Sequence, residues 1–504
     1  MAENKDGPAG RAVRESEIFP DGPAANYSSS IGAEQGLEAF GERSRARPAR
    51  PQQTFAEPAR DIPVYAETDV LVVGGGPAGT AAAVAAARLG ADVLLVERYN
   101  HLGGLSTGGL VIWIDRMTDW SGAHVIRGIA DELMERLPKD AIQGPPRADW
   151  GSRNVASAAY WAQRTSAYHG IVTWAPTIDP EALKTLSMRL VSEAKARLLL
   201  HAWCAAPIVE AGAVKGAIFE SKEGRHAVFA KVTIDATGDA DLIARAGARC
   251  ESDIDAGDIH HCINTAFLMG GVDMERWLAF RREDPDSFAS FMTLGRAKLK
   301  FFEKPFVSWR NDVALFMGPR LSGYSAVNVD DLTAVDLRSR DLAVGHVEVY
   351  RAAAPGFAGA FLMLGAPQIG VRHSRRLVGA RKVTREQWPT GRVFDDEIGV
   401  SPSLSPKFPN ISVPYGALLP QGLDNILGAG RHIACDPSSH SFLREIPQCW
   451  LTGQAAGVAA ALAAGAGRRP RDVEVAAIQR ELLRQGAYLS PAVAAAVQAP
   501  AAAE

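Results

Sequence analysis

From residue 68 the apolar positions follow a strand, helix, strand rhythm. Val70-Leu71-Val72-Val73 is a short unbroken apolar run, as expected of a strand buried on both faces. Gly74-Gly75-Gly76-Pro77-Ala78-Gly79 interrupts it, and an Ala-rich stretch then predicts a closely packed helix. Val93-Leu94-Leu95-Val96 is a second buried strand, closed by the acid Glu97. Further on, Asp179-Pro180-Glu181 marks a helix start, with Asp as N-cap and Pro at the first helical position. That helix is expected to run to about Lys195. Segments 198–205, 214–220 and 225–229 alternate apolar and polar residues around turns at Gly212 and Gly224, and predict an antiparallel meander. Val232-Thr233-Ile234-Asp235 reads as a separate buried strand returning to the first sheet. Residues 425–430 read as a strand entering a glycine turn, and Pro447 opens a helix to Ala464.

The spacing of Gly74, Gly76 and Gly79 gives the first unit a chemistry. The first glycine allows a tight turn, the second lets backbone approach a pyrophosphate, and the third lets the helix pack on the strand. The helix N-terminus then offers free N–H groups to phosphates. Glu97 ends the second strand where a carboxylate can accept from a ribose diol. Strand, turn, helix, strand and acid together predict a dinucleotide site.

Composition narrows the setting. The chain has 504 residues, 22% of them charged, and a net charge of −3. No basic excess points to nucleic acid or to an anionic membrane surface. Cys204, Cys250, Cys262, Cys435 and Cys449 are scattered, without zinc spacing, as in a reduced cytoplasmic protein. No metal site is expected. No signal peptide is evident, and no run reaches the ~20 apolar residues of a membrane span. The apolar run 455–464 reads as a buried helix.

Residues 1–60 are rich in Pro, Gly, Ala, Ser and Arg without periodicity. They read as a mostly disordered extension, with a binding arm left open. The cofactor domain is expected in two parts, 61–245 and 406–470. An inserted domain at 246–405 holds much of the Trp, Phe, Arg and His. A capping helix and Ala/Pro-rich tail close the chain at 471–504.

Four blocks resemble one family: 73–79 with Glu97; 102–110; 233–242, which contains Ala236-Thr237-Gly238-Asp239; and 425–431 with Gly453-Gln-Ala-Ala-Gly457. Block 370–379 supports them. The chain resembles FAD-dependent oxidoreductases of the fumarate reductase and succinate dehydrogenase flavoprotein group. The resemblance implies an α/β fold: a Rossmann-like FAD-binding domain with an inserted α+β substrate domain. It implies FAD held by Gly74, Gly76, Pro77, Ala78, Gly79, Glu97 and Arg98. It adds the loop Gly103, Gly104, Leu105, Ser106 and Thr107, then Ala205, Ala236, Thr237 and Gly238, and finally Gly430, Arg431 and Gly453. Succinate dehydrogenase-type subunits carry a flavin-linking His in a longer loop. Here His101 precedes Gly103-Gly104 directly, so the flavin is expected to be non-covalent. No second strand–GxGxxG–helix block exists, so a dedicated NADPH domain is not expected.

Flavin chemistry needs a cation for a carboxylate or enolate and an acid–base nearby. Arg444 is the expected anion holder and His440 the expected proton carrier, with Arg372 and His432 as further candidates. Arg375 and Arg376 read equally as ion-pairing residues, and Arg431 as an FAD contact. Cys449 sits near a helix start, where a thiolate is favoured, or is a small core residue. The expected activity is a dehydrogenase or reductase on a small organic molecule. A flavin monooxygenase and a non-catalytic FAD-binding protein are the alternatives. Substrate, direction, electron acceptor and oligomeric state are not encoded legibly.

Overall fold

The computed structural model describes residues 51–252, 263–321 and 323–498. The extension expected at 1–60 lies mostly outside them; residues 51–60 are exposed and lack helix or strand.

Along the chain come β1 (Val64–Val73), α1 (Pro77–Arg88), β2 (Val93–Val96), α2 (Pro180–Glu193), β3 (Arg197–Leu199), β4 (Trp203–Glu210), β5 (Ala213–Ser221) and β6 (Gly224–Asp235). A second group follows: β7 (Phe267–Gly270), α3 (Met274–Glu283), α4 (Pro285–Leu299), β8 (Phe306–Val307), β9 (Val313–Phe316), α5 (Val329–Ala353) and β10 (Phe361–Gly365). The chain then returns through β11 (Ile426–Gly428), α6 (Pro437–Leu443) and α7 (Ile446–Ala466).

The main sheet runs β3-β2-β1-β6-β5-β4, with β11 also on β6. β3, β2, β1, β6 and β11 are parallel, and their register aligns their carboxyl ends. Val73 pairs with Val96 and with Asp235, and Asp235 with Gly428. Each chain therefore leaves the sheet at the same level, and Gly74, Glu97, Ala236 and Ala429 form one rim. In open parallel sheets this end is where ligands bind.

Two strand expectations are corrected. Segment 198–205 is not one meander strand. Arg197–Leu199 pairs in parallel with β2, the chain bends at His201 (φ 59°), and Trp203–Glu210 pairs with β5. Local alternation cannot say which edge a strand joins. Val232–Asp235 is not separate either: it continues 225–229 as one strand. The first half of β6 pairs with β5 and the last three residues with β11.

Small residues set the helix packing. Ala81 to Ala86 on α1 are fully buried. A Cβ on Gly453 would lie 2.1 Å from the Ala78 carbonyl oxygen, and one on Gly457 2.2 Å from that of Ala82. α7 thus lies backbone to backbone on α1, which no larger residue would allow. By length and mean hydropathy (1.2) α7 could cross a bilayer, but 83% of its apolar window is buried inside the fold.

A second core gathers Phe267, Trp277, Phe291, Phe302, Phe316, Tyr350 and Phe357. Its sheet runs β8-β9-β7-β10, flanked by α3, α4 and α5. Alternation along β7 splits its loyalties: Phe267 and Met269 face this core, and Leu268 faces the main one. Later residues of segment 246–405, such as Leu377, Ile398 and Val400, pack with the first group of elements.

Candidate active site

The rim opens into a cleft of about 1010 Å³ counted out to its mouth. Its walls include Gly74, Gly76, Pro77, Ala78, Glu97, Arg98, Gly104, Leu105, Ala236, Thr237, Gly238, Gly430 and Arg431 from the predicted set. Gly74 (φ 99°) is left-handed, and a Cβ there would press on the Ala236 carbonyl at 2.5 Å. Gly76 is different. Its backbone (φ −67°) suits any L-residue, and a Cβ would meet only the Gly104 Cα, at 4.0 Å. Its missing side chain is therefore not demanded by the protein's own packing; the space is left for something else. Gly76 is also the N-cap of α1 without a side-chain cap, so the first-turn N–H groups face the cleft rather than a capping oxygen.

Glu97 lines the cleft and accepts from the Gly75 N–H at 2.5 Å and the Tyr99 N–H at 2.9 Å. Arg98 lies over the rings of Tyr99 and Trp203, at 4.9 Å and 4.7 Å from their centroids. Arg431 donates to the Gly238 carbonyl at 3.0 Å and to Asp239 Oδ1 at 2.7 Å. Burial opposes the charge of Asp239, but Arg431 and the Ser374 hydroxyl hold its carboxyl below the usual range.

Six residues expected at the cofactor do not line this cleft. A Cβ on Gly79 would fall 1.7 Å from the Gly74 carbonyl, so it serves helix-on-strand packing, as Gly453 serves α7 on α1. Gly103 (φ 93°) turns the loop. Ser106 and Thr107 spend their hydroxyls on the Gly103 and Leu102 carbonyls, at 2.7 Å each. Ala205 lies just past the lining residues Ala202, Trp203 and Cys204. His101 is buried against Tyr99, with Nδ1 on Asn100 at 2.8 Å, and also lies off the lining.

A second cavity adjoins the first. Leu105, Val371, Arg431, Arg444 and Ile446 belong to both walls. Val111, Trp113 and Met317 make its apolar side, and Arg372, Arg444 and Glu445 its charged end. Arg444 Nη1 lies 3.0 Å from Glu445 Oε1. Behind them are Asp115 and Arg116, both buried and 3.4 Å apart.

Of the four catalytic candidates, Arg444 and Arg372 meet at this cavity. His440 and His432 are set behind its wall. His440 is 1% exposed, and its Nε2 donates to the Arg431 carbonyl at 2.9 Å. Its ring abuts His373, with centroids 4.8 Å apart. His432 is fully buried, 3.9 Å from Asp235, and burial pushes its pKa down. Nε2 of His440 is thus engaged by a backbone carbonyl, and His440 is not among the residues that line this cavity. Cys449 lines the cleft, but burial pushes its thiol up to about 12, which disfavours a thiolate there. Arg375 pairs with Asp241 at 3.1 Å, and Arg376 donates to the Cys435 carbonyl.

Sequence reasoning passed over Glu445, Gln368, Ile369 and Asp239. Asp239 sat inside a quoted block, and Glu445 next to a chosen residue. Gln368 and Ile369 precede the 370–379 block and carried no signal of their own. Among the described residues, no group of three or more His, Cys, Asp or Glu is placed to hold a metal ion.

The sequence pattern of the FAD dependent oxidoreductase family matches residues 69–403 and 404–482. The chain is 29% identical over 214 residues to digeranylgeranylglycerophospholipid reductase 2 of Methanopyrus kandleri, covering 42% of this chain and 46% of that one. It is 34% identical over 118 residues to urocanate reductase of Eggerthella lenta, covering 22% and 18%. The chain thus spans about half the length, or less, of these curated relatives. A geranylgeranyl bacteriochlorophyll reductase-like protein from Thermoplasma acidophilum aligns over 83% of each chain, at 14% identity and a TM-score of 0.42.

Proposed function

Because this chain belongs to the FAD dependent oxidoreductase family, we propose that it moves a hydride between a small anionic organic substrate and FAD, bound non-covalently. One observation carries this reading. A cleft with a dinucleotide-type glycine turn shares a wall of five residues, Arg431 and Arg444 among them, with a second cavity that Arg372 also lines. The cleft's residues suit FAD: Gly76 leaves space beside the glycine turn that a pyrophosphate would use, and Glu97, which lines the same cleft, would accept from a ribose hydroxyl. FAD supplies two-electron chemistry when bound. The protein's own part is to hold and exclude. Arg372 and Arg444 hold an anion, Trp113, Val111 and Met317 cover its apolar body, and Arg431 braces the junction. Guanidinium pairs favour carboxylates through charge-assisted, bidentate bonds. That two relatives bear reductase names supports a hydride transfer.

The test is anaerobic. A panel of small saturated carboxylates is mixed with the oxidised holoenzyme, and their unsaturated counterparts with the dithionite-reduced one. Bleaching or return of the flavin absorbance by a member of either set is the expected result. Incorporation of labelled oxygen into product, with no anaerobic reaction, would point to a monooxygenase instead.

A further inference from the structure

Glu445 occupies the N-cap position of α7. An acid there ordinarily turns back and accepts from a first-turn N–H. Glu445 makes no such bond. Glu445 lines the second cavity and is 8% exposed, and its carboxylate lies beside the Arg444 guanidinium. The charged and titratable groups around it include Arg444 on its own link, Arg372, Asp115 and Arg116, Cys449 on α7, and Arg431, which lines the same cavity. Burial pushes its pKa above the usual carboxylate range, Arg444 pulls against that rise, and Asp115 adds to it.

We propose that Glu445 is the acid–base residue of the reaction, exchanging Arg444 for a proton when an anionic substrate enters. This rests on the reading of the second cavity as the substrate site. In the structure Arg444 and Glu445 neutralise each other. An entering carboxylate competes for Arg444, and the second negative charge left beside it is removed by protonating Glu445. The proton taken up on binding is the one that reacts in the reductive direction: the Glu445 O–H bond breaks, and its proton joins one atom of a substrate C=C or C=O bond, whose π pair forms the new bond to it. A hydride joins the other atom with its own pair, so the substrate would gain two electrons that reduced FAD, held in the first cleft, would supply. The oxidative direction is the reverse and starts from the complex in which Glu445 is ionised. His440 then acts only as a positioning residue, through the Arg431 carbonyl.

Benzoate, a carboxylate with an apolar body that flavin does not oxidise, is the probe. It is titrated into FAD-loaded wild type, Glu445→Gln and Glu445→Asp from about pH 5.5 to about pH 9, with the flavin absorption band and indicator-dye proton uptake as readouts. Wild type is expected to take up about one proton per benzoate bound at the alkaline end, where affinity falls about tenfold per pH unit. Glu445→Gln should bind without uptake and without that slope, and Glu445→Asp should restore both. If Glu445→Gln still takes up the proton, the assignment is overturned while the anion site stands. If benzoate perturbs none of the three proteins, the anion-site reading fails and the Glu445 assignment falls with it.

Discussion

Arg431 ties two turns together by donating to Asp239 Oδ1 at 2.7 Å and to the Gly238 carbonyl at 3.0 Å. One turn follows β11 and the other follows β6, so a single side chain spans the rim on which the cofactor cleft is built. Arg431→Ala leaves the Asp239 carboxylate buried without this partner and should cost about 3 kcal/mol of stability. Chemical denaturation checks this, and Asp239→Asn in the same chain should return part of the loss. Asp239 has a folded pKa below its unfolded value of about 3.9. Its contribution is therefore present above the unfolded pKa and lost as pH falls through the folded one. The gap between wild type and Arg431→Ala should hold from about pH 8 to about pH 5 and narrow below about pH 4.

Two glycines of one motif should fail in different ways. Gly76→Val is expected to fold, because its Cβ has only the Gly104 Cα near it, at 4.0 Å, but to purify without FAD. Gly79→Val drives a Cβ to 1.7 Å from the Gly74 carbonyl and should not fold. Circular dichroism and flavin content of both proteins separate the outcomes. A yellow Gly76→Val protein would remove the pyrophosphate from this turn.

Glu97→Ala should weaken FAD binding by about 1–3 kcal/mol. The carboxylate also organises the turn by accepting from Gly75 and Tyr99, so part of the loss comes from the loop itself. Titration of the cofactor-free protein with FAD, followed by quenching of flavin fluorescence, measures it. An unchanged dissociation constant would contradict a ribose contact.

Arg444→Met should keep the fold and FAD while weakening benzoate by about 2 kcal/mol, or about thirtyfold. Substrate-driven reduction of the flavin should be lost with it. Wild-type benzoate affinity in this variant would take Arg444 out of the anion site.

Acid precipitation should release the flavin into the supernatant. His101 is packed against Tyr99 and bonded to Asn100, and it is not among the residues that line the cleft. Colour retained in the pellet after precipitation would show a covalent bond and reopen the role of this loop.

The sequence by itself determined the parts whose constraint is local. The 74–79 turn is legible because a strand must end, reverse and start a helix within a few residues, and only glycines allow that geometry at Gly74 and Gly79. The Asp179-Pro180 helix start is legible for the same reason: the cap bond and the fixed proline φ involve neighbours in the chain. The small residues of α1 and α7 marked buried helices, although only packing shows them touching.

Tertiary structure alone decided what depends on distant partners. Local alternation could not tell that Arg197–Leu199 joins β2 while Trp203–Glu210 joins β5, because either edge satisfies the same pattern. The second cavity draws on Leu105, Trp113, Met317, Arg372 and Glu445, residues far apart in the sequence. On the stretch before α7, the sequence pointed to His440 and Arg444, and nothing in it set Glu445 apart. Which of them faces the cavity follows from how α6 and α7 pack, and that packing turns His440 onto a backbone carbonyl and Glu445 onto the wall. A side chain's direction is set by the close packing of everything around it, and no stretch of neighbouring residues carries that information.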